Sequence, residues 1–412
     1  MADGPTLIER RRALSLIAAG GAGLVTSPLW AHPFMDGPLV DLHLPGGPGN
    51  RPITTAFPGK GPMILQRNRA PLLETPMAAM DGHVFTPNDR FFVRWHYADI
   101  PLEVDVRTFR LNILGAVKQP QALSLAELLK MPRFEIAAIN QCSGNSRGYF
   151  EPRVPGAQWG NGAIGSAKWT GVRLKDVLDR AGVAANAIQV RFSGLDTPPP
   201  DAPLFAKSLD LAHAMDGEVM IAFQMNGAQL PMLHGFPLRL VVPGWYSTCW
   251  VKALDRIELL DTPDTGYWME KAYRIPDTPR ANVAPDAKGY PTVPINKMGP
   301  RSFITNIADG ARVAANAPLK LRGLAIGGAS GVARVDLSRD GGPTWFAATT
   351  GPDQGKYSFR SWEAVIPALP PGDHKLAVRC TSDSGEVQVF EPVWNPGGFM
   401  RNSVETITVR AA

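Results

Sequence analysis

IAAINQCSGNSRGYF, from Ile136 to Phe150, is an apolar run that breaks at a cysteine into a loop of Ser, Gly, Asn and Arg. Short apolar runs that end at Gly- and Asn-rich punctuation read as buried strands leaving a sheet. Cys142 stands at the point of exit, and a guanidinium, Arg147, follows in the same loop. A structural cysteine is usually buried among aliphatics or paired in a disulfide. Small polar neighbours and a nearby cation instead favour the thiolate, the form that ligates a metal or attacks an electrophile.

Short apolar runs and compact helical signals alternate around this stretch, as in a mixed α+β domain spanning residues 89–275. SLAELLKM carries a capping box, Ser124 with Glu127. GVRLKDVLDRAGV has helical spacing at Leu174, Val177 and Leu178, with Gly182 as the stop. AIQVRFSGLD, EVMIAFQMNG and FPLRLVVPGW read as buried strands. A Pro-rich linker follows over 276–300. In residues 301–412 the pattern changes to short strands at regular spacing, joined by turns such as Asp340-Gly341-Gly342. That pattern predicts one antiparallel β-sandwich of immunoglobulin type.

The 412 residues suffice for two cores. A net charge of +5 is spread along the chain without basic runs interleaved with aromatics, which argues against nucleic acid and leaves small anions as partners. Residues 1–31, with Arg10, Arg11 and Arg12 before a short apolar stretch, read as a twin-arginine-type export signal and hence a periplasmic protein. Residues 32–88, rich in Pro, Gly and Met, read as an irregular wrapping segment. No later stretch approaches the ~18 apolar residues of a membrane span. Cys142, Cys249 and Cys380 are too scattered for a disulfide framework. The absence of CxxCH argues against covalently attached haem in this chain. HLPGG at His43 lies in the Pro/Gly-rich leader and reads as linker.

The companions of Cys142 decide the chemistry. They are FFVRWH (Arg94, His96), NQCSGNSR (Cys142, Arg147), QWGNGAIG (Trp159), MLHGFPLRLVVPGW (His234, Arg239), VKALDRI (Lys252) and YWMEKAY (Tyr273). With these motifs in this order, nearly the whole chain after the leader resembles the sulfite oxidase family of molybdenum enzymes. The likeness is greatest to bacterial periplasmic sulfite dehydrogenases without a haem domain. The resemblance implies that Cys142 gives its thiolate to the molybdenum of one molybdopterin. It implies that Arg94, Arg147 and Tyr273 meet sulfite, with Trp159 in the same pocket. It implies further that His96, His234, Arg239 and Lys252 bind the pterin, and more loosely Asp196 and Ser208. Two guanidiniums suit a small dianion because each can hold its oxygens by paired hydrogen bonds.

Tyr246 is a rival for the tyrosine, but the register from VKALDRI through YWMEKAY favours Tyr273, leaving Tyr246 to packing. Animal relatives carry a pocket arginine after VWN. Here Gly397 stands at that place, so either the pocket is less positive or Arg401 takes the role. The resemblance also implies a homodimer through the C-terminal domain and an external c-type cytochrome as electron acceptor. The rival readings are a sulfane-sulfur dehydrogenase subunit and a periplasmic methionine sulfoxide reductase. Outside the family stand a cofactor-free secreted binding protein and a cysteine hydrolase using Cys142 with His96 or His234.

Overall fold

The computed structural model describes residues 37–412, so the export-signal reading of residues 1–31 lies outside the described residues. The strand read from the opening stretch forms as Phe134–Gln141, and its last four residues are buried as it runs up to Cys142. It pairs antiparallel with Ile164–Arg173, which pairs on its other side with Met220–Met225. Ile164–Arg173 is buried on both faces for most of its length. That agrees with its small and apolar composition, since a central strand covered on both sides does not alternate. At Gly171 a Cβ would lie 2.0 Å from the carbonyl oxygen of Ile221, so only glycine lets these strands approach.

A second sheet runs in the order Ala206–Asp210, Gln189–Gly194, Leu254–Leu260, Leu111–Gly115 and Gln121–Leu123. All its pairs are antiparallel except that of Leu254–Leu260 with Leu111–Gly115. Both sheets contribute to one large apolar core that includes Leu111, Ile113, Trp169, Val172, Val190, Phe192, Ile221 and Leu240.

Two expectations need correction. The stretch read as irregular carries four strands, Leu39–Asp41, Asn50–Thr54, Met63–Arg67 and Leu72–Glu74, forming a meander that Val93–Arg94 completes. The strands are three to five residues long and interrupted by Pro and Gly, so they carry no readable period. The half spanning residues 89–275 is also mostly β-sheet with few helices rather than mixed α+β. Its longest described α-helix is Leu174–Ala181, which buries Leu174, Val177 and Leu178 and ends at Gly182 with φ 70°. SLAELLKM forms a single α-helical turn, Leu125–Leu128, with both hydrogen bonds of the capping box made.

The C-terminal region consists of two sheets. One runs Arg301–Ile304, Leu319–Ile326, Arg360–Ile366 and Thr349–Thr350; the other Arg312–Val313, Glu405–Ala411, Gly372–Ser382, Val332–Ser338 and Phe346–Ala347. Leu321, Trp362 and Ile366 of the first share a core with Val335, Leu337, Leu376 and Val409 of the second. A separate cluster sews this region to the preceding half through Ile139, Ile164 and Tyr246 on one side and Phe303, Leu324 and Phe359 on the other. Among the described residues, no helix is long and apolar enough to cross a membrane.

Candidate active site

Where Phe134–Gln141 ends, Cys142 lines a cavity together with Arg94, His96, Asn140, His234, Arg239, Lys252 and Tyr273. The fold brings these in from separate places. Arg94 ends the N-terminal meander, Cys142 follows a central strand, and Arg239 begins the short strand Arg239–Val241. Tyr273 lies just before the Arg274–Pro276 strand with φ 55°, a left-handed conformation that tyrosine adopts only under constraint.

Its hydroxyl explains part of that constraint. Arg94 Nη2 donates to it at 2.5 Å, and His96 Nε2 lies 2.7 Å away. His96 stacks on Phe205 with ring centroids 3.7 Å apart, which fixes the imidazole plane. Burial and the surrounding cations, Arg94 foremost, hold His96 well below its ordinary pKa, so it is neutral near pH 7. The Tyr273 phenol is pushed up, chiefly by burial.

A second cationic group lies deeper. Lys252 donates to the carbonyl of Arg94 at 2.7 Å and sits 4.4 Å from the centre of the Trp95 ring. Burial brings its pKa down to about 7. Arg239 donates to the His234 carbonyl at 3.2 Å, and its guanidinium lies 4.7 Å from the Trp169 ring centre. Burial lowers its pKa to about 9. Lys60 was missed by the sequence reading, being a lone lysine in a Pro/Gly-rich stretch. Its Nζ reaches His234 Nε2 at 2.6 Å and donates to the carbonyls of Asn88 and Phe91. Burial lowers Lys60 to about 7 and holds His234 well below its ordinary value.

Four predicted residues do not line this cavity. Arg147 donates from Nε to the Gly397 carbonyl at 3.1 Å and rests over the Phe399 ring, although Cys142, Tyr273 and Arg94 all act on its charge. Trp159 is fully buried, its carbonyl accepting the Gly148 N–H behind the cysteine loop. Ser208 donates to Asp264 at 2.6 Å, and Asp196 is buried where Lys252 acts on its carboxyl. Arg401, the other candidate for a pocket cation, does not line the cavity either and donates to Glu405 at 2.8 Å. Tyr246 is packed in the cluster between the two halves.

The family model described as the oxidoreductase molybdopterin binding domain matches residues 97–268, and that of the Mo-co oxidoreductase dimerisation domain matches 292–411. Human mitochondrial sulfite oxidase is 34% identical, over 85% of this chain and 66% of its own length. Chicken sulfite oxidase is 31% identical, over 93% of this chain and 88% of its own. The chain belongs to the sulfite oxidase family. It spans about two thirds of the length of the primate mitochondrial members it matches. A family-like fold is also seen in the crystal structure of the sulfane dehydrogenase SoxCD from Paracoccus pantotrophus, with TM-score 0.71 and 26% identity over 84% of this chain and 85% of that one.

The site of this sulfite oxidase family member fits a polyanionic cofactor. No carboxylate lines the cavity among the described residues, while Arg94, Arg239 and Lys252 do. Arg94 Nη1, Asn140 Nδ2 and Arg239 Nε are buried donors without a partner in the chain. Unpaired buried charge and unsatisfied donors are costly, and an anion with many acceptors relieves both. Among the described residues no three His, Cys, Asp or Glu side chains converge on a metal position. A metal held by Cys142 would therefore bring further ligands of its own, as a dithiolene-bound molybdenum does.

Proposed function

We propose that this chain oxidises sulfite to sulfate in the periplasm, after twin-arginine export. On this reading it passes electrons to a separate c-type cytochrome, and it pairs as a homodimer through a C-terminal sandwich of immunoglobulin type. The observation that carries the reading is the Tyr273 hydroxyl clamped between Arg94 and His96 in the same cavity as the Cys142 thiol.

Bound there, molybdenum-molybdopterin supplies two-electron redox chemistry and oxygen-atom transfer. Cys142 would be the protein's ligand to the metal, and His234, Arg239 and Lys252 would hold the pterin and its phosphate. The reaction converts sulfite and water into sulfate, two protons and two electrons. Arg94 has one guanidinium nitrogen free for a sulfite oxygen. With neutral His96 protonated on Nε2, both nitrogen neighbours donate to the phenol oxygen. The Tyr273 proton then points into the cavity, where an oxyanion can accept it. Arg147, one shell back on Gly397 and Phe399, adds positive potential without a direct contact.

A second reading, oxidation of sulfane sulfur on a carrier, is favoured by one observation. Gly397 leaves the pocket without the arginine of animal relatives, so a bulkier, less charged substrate fits better than in those enzymes. The deciding experiment is sulfite-dependent reduction of cytochrome c by purified protein of measured molybdenum content. Rapid reduction establishes the sulfite dehydrogenase, and its loss in Cys142→Ser supports the ligand assignment. No reduction by fully loaded protein discards sulfite in favour of sulfane sulfur.

A further inference from the structure

Arg301 opens the first strand of the C-terminal domain, yet its side chain reaches the cysteine loop of the catalytic half. It is completely buried. One nitrogen, Nη2, donates to Ser146 Oγ at 2.9 Å, to Asn161 Oδ1 at 3.4 Å and to Glu405 Oε1 at 2.5 Å. Glu405 is held in turn by Arg401 at 2.8 Å and by Asn161 Nδ2 at 3.2 Å. Arg301 Nε and Nη1 have no partner, so this guanidinium is buried with much of its hydrogen-bonding capacity unused. Replacing a buried ion pair as a whole by well-packed apolar side chains is often neutral or stabilising, so the Arg301–Glu405 pair is weak evidence for a role in stability alone.

What the arginine reaches accounts for its presence. Ser146 lies between Cys142 and Arg147 and has φ 67°, a conformation unfavourable for serine unless its surroundings impose it. Its Oγ also donates to Asn161 Oδ1 at 2.5 Å, and its N–H to the Gly160 carbonyl at 2.8 Å. Two further tethers come from the same domain. The Met400 N–H donates to the Ser143 carbonyl at 2.8 Å, and the Gly397 carbonyl accepts from Arg147 at 3.1 Å. Three of the five residues from Ser143 to Arg147 are thus held by the region matched as a dimerisation domain.

We propose that Arg301 is a positioning residue, locking the Cys142 loop through Ser146 so that the C-terminal domain completes the active site. This rests on the reading of Cys142 as the metal's ligand. The lock itself is a property of the chain before any cofactor binds.

The test measures alkylation of Cys142 by iodoacetamide in cofactor-free protein, followed by peptide mass spectrometry, with buried Cys249 and Cys380 as internal references. Thermal unfolding is recorded alongside. In Arg301→Gln, Cys142 should react about tenfold faster, because local opening of its loop becomes easier, while the two reference cysteines keep their rates. Ser146→Ala, which leaves the Arg301–Glu405 pair in place, should accelerate Cys142 in the same way. If Arg301→Gln fails to fold, Ser146→Ala decides alone. An unchanged Cys142 rate in Ser146→Ala overturns the proposal, as does a change confined to melting temperature. Failure of the sulfite reading would appear separately, as absent sulfite turnover by loaded wild-type enzyme.

Discussion

Tyr273 and Tyr246 show how far single residues can be read. Both lie near Cys142, yet half-buried Tyr273 lines the cavity while fully buried Tyr246 packs between the two halves. Tyr273 could be chosen because its spacing after Lys252 matches that of the family the chain resembles. Arg94, His96, Cys142, His234, Arg239 and Lys252 were legible in the same way, each inside a motif. Lys60 was not, since its contact with His234 joins residues 174 apart and no local pattern announces it. Arg147 was named, but sequence could not tell that the Gly397 carbonyl and the Phe399 ring would hold it one layer back. Tyr273→Phe keeps the ring and removes the hydroxyl between Arg94 and His96. It should lower kcat/KM for sulfite about 100-fold, the usual effect of losing one donor to developing oxyanion charge, with molybdenum content unchanged. Steady-state kinetics at measured metal loading checks this. Lys252→Met removes a buried cation near the cofactor site and should instead lower molybdenum retained on purification by about tenfold or more, read by metal analysis.

At the scale of elements, the strands of the C-terminal region and the deep strands of the catalytic half were readable. Their apolar residues either alternate, as in Glu405–Ala411, or run continuously, as in Ile164–Arg173. The helix Leu174–Ala181 and its glycine stop were equally plain. The N-terminal meander was hidden because strands of three to five residues cannot express a period. Tertiary pairing forms them, with Leu72 joined to Arg94 and Leu73 to Val93. The capping box offers a clean test of local reasoning. Ser124 Oγ accepts from the Glu127 N–H at 3.2 Å, and Glu127 accepts from the Ser124 N–H at 2.9 Å. Ser124→Ala should cost about 1 kcal/mol in chemical denaturation and leave turnover per molybdenum unchanged, because no residue of the turn lines the cavity.

The molecule as a whole buries several cations before any anion arrives. Lys60 and Lys252, ordinarily near 10.5, are brought to about 7 in the folded chain. Below pH 7 the folded and unfolded chains both hold these protons, and the folded state bears the full penalty. As pH rises above 7 the folded chain releases them while the unfolded chain keeps them until near 10.5, so stability increases with pH. Each such lysine contributes about 1.4 kcal/mol per pH unit across that window. Cofactor-free protein should therefore melt at a higher temperature at pH 9 than at pH 7. Loaded protein, whose lysines keep their protons against an anion, should show a flatter profile by calorimetry. The seam between the halves has a consequence in time. Cys142 leaves the ribosome early, but Gly397, Met400 and Glu405, which fasten its loop, are made more than 250 residues later. At ordinary elongation rates that interval lasts on the order of tens of seconds. Throughout it the nascent chain carries the Cys142 thiol without its final shelter, so synthesis is when that thiol is most open to oxidants and stray metals.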